Sequence, residues 1–206
     1  TTQAQTQQET VRSVESDKGT IYFEEITDSL MGKDLFDVIM GKKAYANFEK
    51  TDGSGTIYYS WEFCGQDLNE SKDLDLNINV LTKNDELSDV VKDKTAVSFE
   101  FANEGKFPGK ADIYIRVADS FTNGDNLYLY RYDKDKKQAQ LISENLTVTN
   151  GYANEMLEEG GLYFFTNDKI ANGNTFNGFL IIPVIVVIGA VVLIVLKKRK
   201  KSGDKS

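Results

Sequence analysis

Residues 56–63 read Thr-Ile-Tyr-Tyr-Ser-Trp-Glu-Phe, with an apolar or aromatic side chain at every second position. Ile57, Tyr59, Trp61 and Phe63 share one face of an extended chain, because successive side chains of a strand point to opposite faces. This period of two predicts a half-buried β-strand. We interpret Trp61 as a core residue of a central strand. An exposed aromatic platform for sugar rings is the alternative, and Ile57 on the same face argues against it.

The same alternation recurs along most of the chain. It predicts strands at residues 20–25, 44–49, 56–63, 74–81, 96–101, 111–117, 126–132, 138–143, 146–148, 152–155 and 162–165. Turn signals such as Asp52-Gly53-Ser54-Gly55, Phe107-Pro108-Gly109 and Asn150-Gly151 separate the strands. Many short strands at regular spacing predict a mainly β fold, an antiparallel β-sandwich, with a barrel as the alternative.

The period changes in one segment after the first predicted strand. Leu35, Val38 and Ile39 recur at helical spacing, and Gly41 is a typical C-terminal stop. One short helix is therefore predicted between residues 32 and 41. A helical turn is also predicted at residues 86–91.

An uncharged apolar run at residues 179–196 is followed directly by five basic residues at 197–201. A helix of 18 residues spans about 27 Å, close to the roughly 30 Å of a bilayer core. The run predicts a transmembrane helix at 178–196 with a basic cytoplasmic tail at 197–206. Residues 1–18 are predicted to be disordered, 19–166 to form the extracellular domain and 167–177 a stalk. Export requires a signal peptide, which we expect to be removed; a tail-anchored orientation is the alternative.

Charge and composition narrow the function classes. The chain has 24 basic and 32 acidic residues, and the tail 197–206 holds six of the former and one of the latter. The remaining 18 basic and 31 acidic residues make the rest strongly acidic, which argues against nucleic acid as a partner. There is no histidine, and Cys64 is the only cysteine. Histidine-based catalysis and intramolecular disulfides are therefore excluded, and we predict no catalytic residues, no metal site and no cofactor.

A stripe of tyrosines is the candidate binding site. In Leu127-Tyr128-Leu129-Tyr130-Arg131-Tyr132, alternation places Tyr128, Tyr130 and Tyr132 on one face and Leu127, Leu129 and Arg131 on the other. Three tyrosines on one face can hold a carbohydrate or a peptide, or they can cover the sheet with their hydroxyls in water. We expect ligand binding at Tyr128, Tyr130 and Tyr132.

Four acidic residues near strand ends are a second candidate site, for a metal ion. Asp73, Asp75, Asp133 and Asp135 lie near predicted strand ends, where loop carboxylates can bind calcium. Their spacing is not that of an EF-hand, and lysines neighbour both pairs. Solvated loop charges are the preferred interpretation.

Several segments together resemble a module of cell-surface proteins from Gram-positive, clostridial-type bacteria. They are Tyr-Ser-Trp-Glu-Phe-Cys-Gly-Gln-Asp at 59–67, Phe-Ala-Asn-Glu-Gly-Lys-Phe-Pro-Gly-Lys-Ala at 101–111, Leu-Tyr-Leu-Tyr-Arg-Tyr at 127–132, Glu-Asn-Leu-Thr-Val-Thr-Asn-Gly-Tyr at 144–152 and Tyr-Phe-Phe-Thr at 163–166. The chain departs from that module at Ala102-Asn103, where such modules often carry histidine. The resemblance implies an extracellular β-rich module without catalytic residues.

These observations predict a membrane-anchored bacterial surface protein. Its expected role is non-catalytic recognition, adhesion or envelope structure, at the plasma membrane as a single-pass protein with the N-terminal domain outside. The expected partners are the lipid bilayer and a glycan or protein ligand at the cell surface. A carboxylate-based glycan hydrolase and an accessory subunit of a membrane complex are the alternatives.

Overall fold

A computed structural model describes residues 11–28 and 30–170. These residues form a mainly β protein with few helices and several sheets. The strands are β1 Arg12–Ser16, β2 Gly19–Glu25, β3 Leu30–Met31, β4 Ala44–Thr51, β5 Ile57–Cys64, β6 Leu74–Asp75, β7 Ile78–Leu81, β8 Ala96–Phe101, β9 Lys106–Arg116, β10 Asn126–Asp133, β11 Gln138–Thr147, β12 Tyr152–Glu159 and β13 Leu162–Thr166. The helices are α1 Lys33–Ile39 and α2 Ser88–Val91, and 3-10 turns lie at Gly65–Asp67 and Asp85–Leu87.

Two large sheets and one strand pair contain all of these strands. The six-stranded sheet has the order β1-β2-β4-β5-β9-β12, and the five-stranded sheet has the order β11-β10-β13-β8-β7. β3 and β6 form a separate two-stranded ladder. Most pairs are antiparallel, but β2 and β4 are parallel. A parallel pair needs a long crossover connection, and residues 26–43, which contain α1, supply it.

The main core lies between the two large sheets. Trp61 of β5 is fully buried, its ring lies 5.0 Å from that of Phe101 of β8, and its Nε1 donates to the carbonyl of Leu76 at 3.0 Å. From α1, Phe36 joins this core at 5.0 Å from the ring of Phe63. The interpretation of Trp61 as a core residue is confirmed, because the alternating face of β5 is the face against the other sheet.

A second apolar layer covers the outer face of the five-stranded sheet. It consists of Leu87, Val91, Tyr130, Tyr132, Ala139, Leu162, Phe164 and Ile170. Leu87 and Val91 come from the helical turn that the sequence predicted at 86–91, which the structure shows as a 3-10 turn followed by α2. This layer gives the five-stranded sheet an apolar environment on both faces.

Four local features differ from the sequence predictions. The fold is not purely antiparallel, since β2 and β4 run parallel. Residues 12–16, predicted to be disordered for their polarity, pair with β2, because backbone hydrogen bonds do not need apolar side chains. The single strand predicted at 74–81 is two strands, β6 and β7, in different sheets. The strands predicted at 138–143 and 146–148 are one strand, β11, with register shifts in its pairing to β10.

Candidate functional site

A polar cavity of about 590 Å³ lies where the end of β10, the start of β13 and two loops meet. Four of its lining side chains are acidic and two are basic. The lining residues are Glu100, Glu104, Gly105, Arg131, Tyr132, Asp133, Lys134, Asp135, Gln140, Gly160, Gly161 and Leu162. We call it the end cavity. Its walls come from segments up to about 60 positions apart in sequence, brought together by the pairing of β13 with both β8 and β10.

Arg131 is fixed on one wall of the end cavity. Its guanidinium donates to the carboxylate of Glu159 and, at 3.1 Å, to the carbonyl of Gly160. It also lies over the ring of Tyr163, 5.8 Å from the centroid. A charged group held by several partners keeps its position without a ligand, so Arg131 offers a preorganised surface.

Gly160 and Gly161 make room for this arrangement. A side chain at Gly160 would overlap the carbonyl of Asn103, which would lie 1.7 Å from its Cβ. Gly161 has φ +135° and a Cβ there would lie 3.3 Å from Nε of Arg131. Glycine tolerates both the close approach and the positive φ. The pair therefore sets the shape of the cavity wall.

Lys134 is the second basic side chain that lines the end cavity. Its ammonium lies 2.6 Å from Glu100 and 3.4 Å from Glu86. The hydrogen bond to Glu100 is the main reason that the pKa of Lys134 is raised. Both cations of the cavity are thus already neutralised by carboxylates of this chain.

Four lining side chains remain available to a ligand. Within the described residues, the side chains of Glu104, Asp135 and Gln140 and the hydroxyl of Tyr132 have no hydrogen bond or ion pair. A carboxylate accepts hydrogen bonds, and an amide both donates and accepts them. The arrangement suits a small polar molecule that carries hydrogen-bond donors.

The structure separates the three predicted tyrosines. Tyr132 lines the end cavity and is mostly buried, which raises its pKa. Tyr130 is buried in the second apolar layer, stacks on Phe164 at 5.3 Å, and its hydroxyl accepts a hydrogen bond from the N–H of Ile170 at 3.0 Å. Tyr128 is half-buried against the same layer. The structure places one of the three at the cavity, and ligand binding at the stripe stays a prediction.

Sequence reasoning missed most of the end cavity. It noted Arg131 only as a residue facing away from the tyrosines, and it did not single out Gly160-Gly161. The signal present was the pair of glycines directly after Glu158-Glu159 and before a strand. Adjacent glycines between two strands indicate a tight connection or a close backbone approach.

One domain family is similar to part of this chain. The sequence model of that family, described as the Mtd second domain, matches residues 79–177, slightly less than half of the chain. The whole end cavity falls inside this segment. No curated protein and no solved structure is similar to the chain.

The match corrects the predicted resemblance and the predictions built on it. The similar family is the Mtd second domain and not a module of Gram-positive cell-surface proteins. The same match contradicts the prediction that the chain is not an enzyme. The predicted non-catalytic role in recognition, adhesion or envelope structure is wrong on the same finding.

The predicted location and the predicted partners of the protein are corrected as well. The same match contradicts the single-pass location at the plasma membrane, and the lipid bilayer and a surface ligand as partners. Among residues 11–28 and 30–170, no helix is long and apolar enough to cross a bilayer. The helix predicted at 178–196 lies outside the described residues.

Proposed function

We propose that this chain is part of an enzyme and that its end cavity holds a small polar substrate. The observation that carries the proposal is the position of the cavity, which lies entirely within the segment similar to the Mtd second domain. The ion pairs that hold Arg131 and Lys134 support it, because a cavity wall fixed by its own contacts does not have to reorganise when a ligand binds.

The fold supports a binding role for these residues. We infer that the two large sheets form a β-sandwich, in which the strands hold the core and the loops at one end form the site. A rigid sheet framework that positions loops is a common basis for ligand binding. The domain bounds predicted from sequence, with a folded unit at 19–166, stay part of this proposal, with β1 at Arg12–Ser16 added to the unit.

The described residues do not fit a dinucleotide site of the doubly wound type. Such sites follow a parallel strand with a glycine-rich loop at the start of a helix. Here one parallel pair, β2 and β4, is found in the described residues. The helix between them, α1, begins after the single glycine Gly32, and this crossover lies outside the matched segment. We therefore assign substrate binding to these residues, and no hydride-transfer step.

Thermal unfolding of the full chain with added small molecules tests the proposal. Putrescine, glucose, succinate and tetrahydrofolate serve as probes for an amine, a polyol, a dicarboxylic acid and a pterin. A bound probe stabilises the folded state in proportion to the logarithm of its concentration above Kd. We expect at least one probe to raise Tm in the parent chain, and Glu104→Gln to remove that increase.

The control is Glu70→Gln, which changes an exposed carboxylate outside the cavity. It should leave the probe effect unchanged. If no probe raises Tm, or if the increase is the same in Glu104→Gln as in the parent chain, the end cavity does not bind these substrates and the proposal fails.

A further inference from the structure

The end cavity carries an excess of negative charge. Four of its lining side chains are acidic and two are basic. Their ion-pair partners outside the lining are Glu86, Glu159 and Lys136, so six carboxylates surround three cations. Each of these three cations is already paired with a carboxylate of the chain. A ligand that enters the cavity therefore meets carboxylates that are not neutralised.

Glu104 and Asp135 are the two carboxylates left without a cation. Glu104 lies in the loop after β8, and Asp135 lies in the turn after β10. Neither side chain has a hydrogen bond or an ion pair among residues 11–28 and 30–170. Lys136, the nearest cation in sequence to Asp135, is bonded to Asp133. Both Glu104 and Asp135 are exposed, so a ligand can reach them.

The five-stranded sheet brings these two loops to the same edge. β8 and β10 are both antiparallel to β13, which lies between them, so β8 and β10 end at the same edge of the sheet. Neighbouring strands lie about 4.8 Å apart, so the two strand ends are about 10 Å apart. Glu104 and Asp135 therefore come from opposite sides of the cavity.

The floor between the two loops is largely apolar. Tyr132 of β10 pairs in register with Leu162 of β13, so their side chains share one face of the sheet. Both residues line the cavity and belong to the second apolar layer. An alkyl chain between two charged ends can lie on this floor and remove apolar surface from water.

The hydroxyl of Tyr132 is the second sign that the cavity holds a ligand. Tyr132 is 8% exposed, and its hydroxyl has no hydrogen-bond partner in the part of the chain that the structure describes. This oxygen is not among the fully enclosed polar atoms, so it remains within reach from the surface. Polar groups in such buried positions are rarely left unpaired, and a ligand in the cavity supplies the missing partner.

We propose that the end cavity binds a short linear diamine in its doubly protonated form. This inference rests on the proposed function and names the substrate class of the same site. Each ammonium group binds one of the free carboxylates, Glu104 or Asp135, and the methylene chain lies on Tyr132 and Leu162. An ammonium has three donors and no acceptor, which matches a site whose free side chains accept hydrogen bonds. The Tyr132 hydroxyl and the amide oxygen of Gln140 accept the remaining N–H groups.

Isothermal titration of the full chain with putrescine at low salt tests the inference. Butane-1,4-diol is the matched probe, because it has the same carbon chain with a hydroxyl in place of each ammonium. We expect putrescine to bind at one site with a Kd of about 10⁻⁴–10⁻³ M, since a ligand of so few atoms makes few contacts. The diol should bind at least tenfold more weakly. Added salt should weaken the binding of putrescine, because the two carboxylates are exposed.

Variants of the two carboxylates locate the binding. Glu104→Gln and Asp135→Asn each remove one charge and keep the shape of the side chain. Each should weaken putrescine binding about tenfold, because a hydrogen bond to a charged group is lost. Glu104→Asp keeps the charge and should retain more affinity than Glu104→Gln. The control is Glu70→Gln, an exposed carboxylate outside the cavity, which should leave the affinity unchanged.

The outcomes separate this inference from the proposed function. Equal affinity for the diol and putrescine, or equal putrescine affinity in the parent chain and both carboxylate variants, would overturn the diamine. If putrescine does not bind while glucose or succinate raises Tm in a manner that depends on Glu104, the cavity still holds a substrate and only the diamine is wrong. If no probe binds, the proposed function fails and the diamine fails with it.

Discussion

The outer faces of the two large sheets differ in what lies on them. On the five-stranded sheet, Leu87 and Val91 of the helical segment pack on Tyr130 and Phe164. On the six-stranded sheet, the outward positions include the half-exposed Tyr58 and Met156 and the polar residues Asn47, Glu62 and Asp112. One sheet is therefore apolar on both faces, and the other is apolar on one face and polar on the other.

The strands show the same difference in their sequences. All five residues of β13, Leu-Tyr-Phe-Phe-Thr, are buried. In β5 the inward residues Tyr59, Trp61 and Phe63 are buried, while the outward Tyr58 is 48% exposed. A continuous apolar run marks a strand covered on both faces, and alternation marks a strand covered on one. A strand that is buried at every position, as β13 is, therefore indicates that an apolar layer covers each of its two faces.

The largest effect should come from the core between the sheets. Trp61→Ala removes ring contacts with Phe63, Phe101 and Phe107 and leaves the carbonyl of Leu76 without its donor. We expect the free energy of unfolding to fall by about 3–5 kcal/mol, as for other buried aromatic truncations. Urea unfolding measures it. Tyr58→Ala, on the other face of β5, should change the free energy of unfolding by less than about 0.5 kcal/mol. Equal losses in the two variants would contradict the assignment of one buried and one exposed face to β5.

High pH should weaken the same core through Tyr163. Burial is the main reason that its pKa is raised to about 12, above the ordinary value of 10.0. Below pH 10 both states keep the proton; between pH 10 and 12 only the unfolded state loses it. Stability should therefore fall by roughly 2–3 kcal/mol across that window. Urea unfolding at each pH measures the fall.

The control for this titration is Tyr163→Phe. That variant loses the hydrogen bond from the Tyr163 hydroxyl to the carbonyl of Glu159. Its stability should be lower below pH 10, and its further decrease from pH 10 to 12 should be smaller than in the parent chain. The same decrease in both proteins would assign the effect to other tyrosines.

The second apolar layer should contribute less than the core between the sheets. Leu87→Ala truncates a side chain that is 1% exposed under a single helical segment. We expect a loss of about 2 kcal/mol, at the lower end for buried leucine, because a short surface segment can collapse onto the gap. Leu30→Ala, 63% exposed, is the matched control with little expected change. A loss as large as that of Trp61→Ala would make the two layers energetically equal.

The smallest effect concerns the hydroxyl of Tyr130. Tyr130→Phe keeps the stacking on Phe164 but leaves the buried N–H of Ile170 without its acceptor. We expect a cost of about 1 kcal/mol. Amide hydrogen exchange should become faster at Ile170 and remain unchanged at Trp61. Unchanged exchange at Ile170 would mean that this hydrogen bond does not hold Ile170 in the second apolar layer.

Alternation predicted the strands well where each strand has one buried face. The strand 96–101 was predicted at its observed bounds, and the strand at 126–132 is one residue longer in the structure. The prediction failed at 74–81, because Leu74, Leu76 and Ile78 alternate without a break although the chain changes sheets there. It also failed at Phe107-Pro108-Gly109, which lies inside β9 instead of forming a turn.

The sites were much less accessible from sequence. The end cavity depends on Arg131 meeting Glu159 and Gly160, which lie 28 and 29 positions away along the chain. The polar row of Asn47, Glu62 and Asp112 on the six-stranded sheet depends on the registers of β4, β5 and β9, which join residues up to 65 positions apart. Strand register is a property of pairing, and nothing in one strand reports which residue lies opposite.

The sequence by itself determined which residues face the core, because the side-chain period of a strand is local and Tyr59, Trp61 and Phe63 follow it. It also determined the positions of α1 and of the helical turn before β8, through apolar spacing. Only the tertiary structure decided that β2 and β4 run parallel, that a second layer covers one sheet, and that Asn47, Glu62 and Asp112 form a row. The physical reason is that these features depend on long-range backbone hydrogen bonds, whose partners are fixed only when the whole chain has folded.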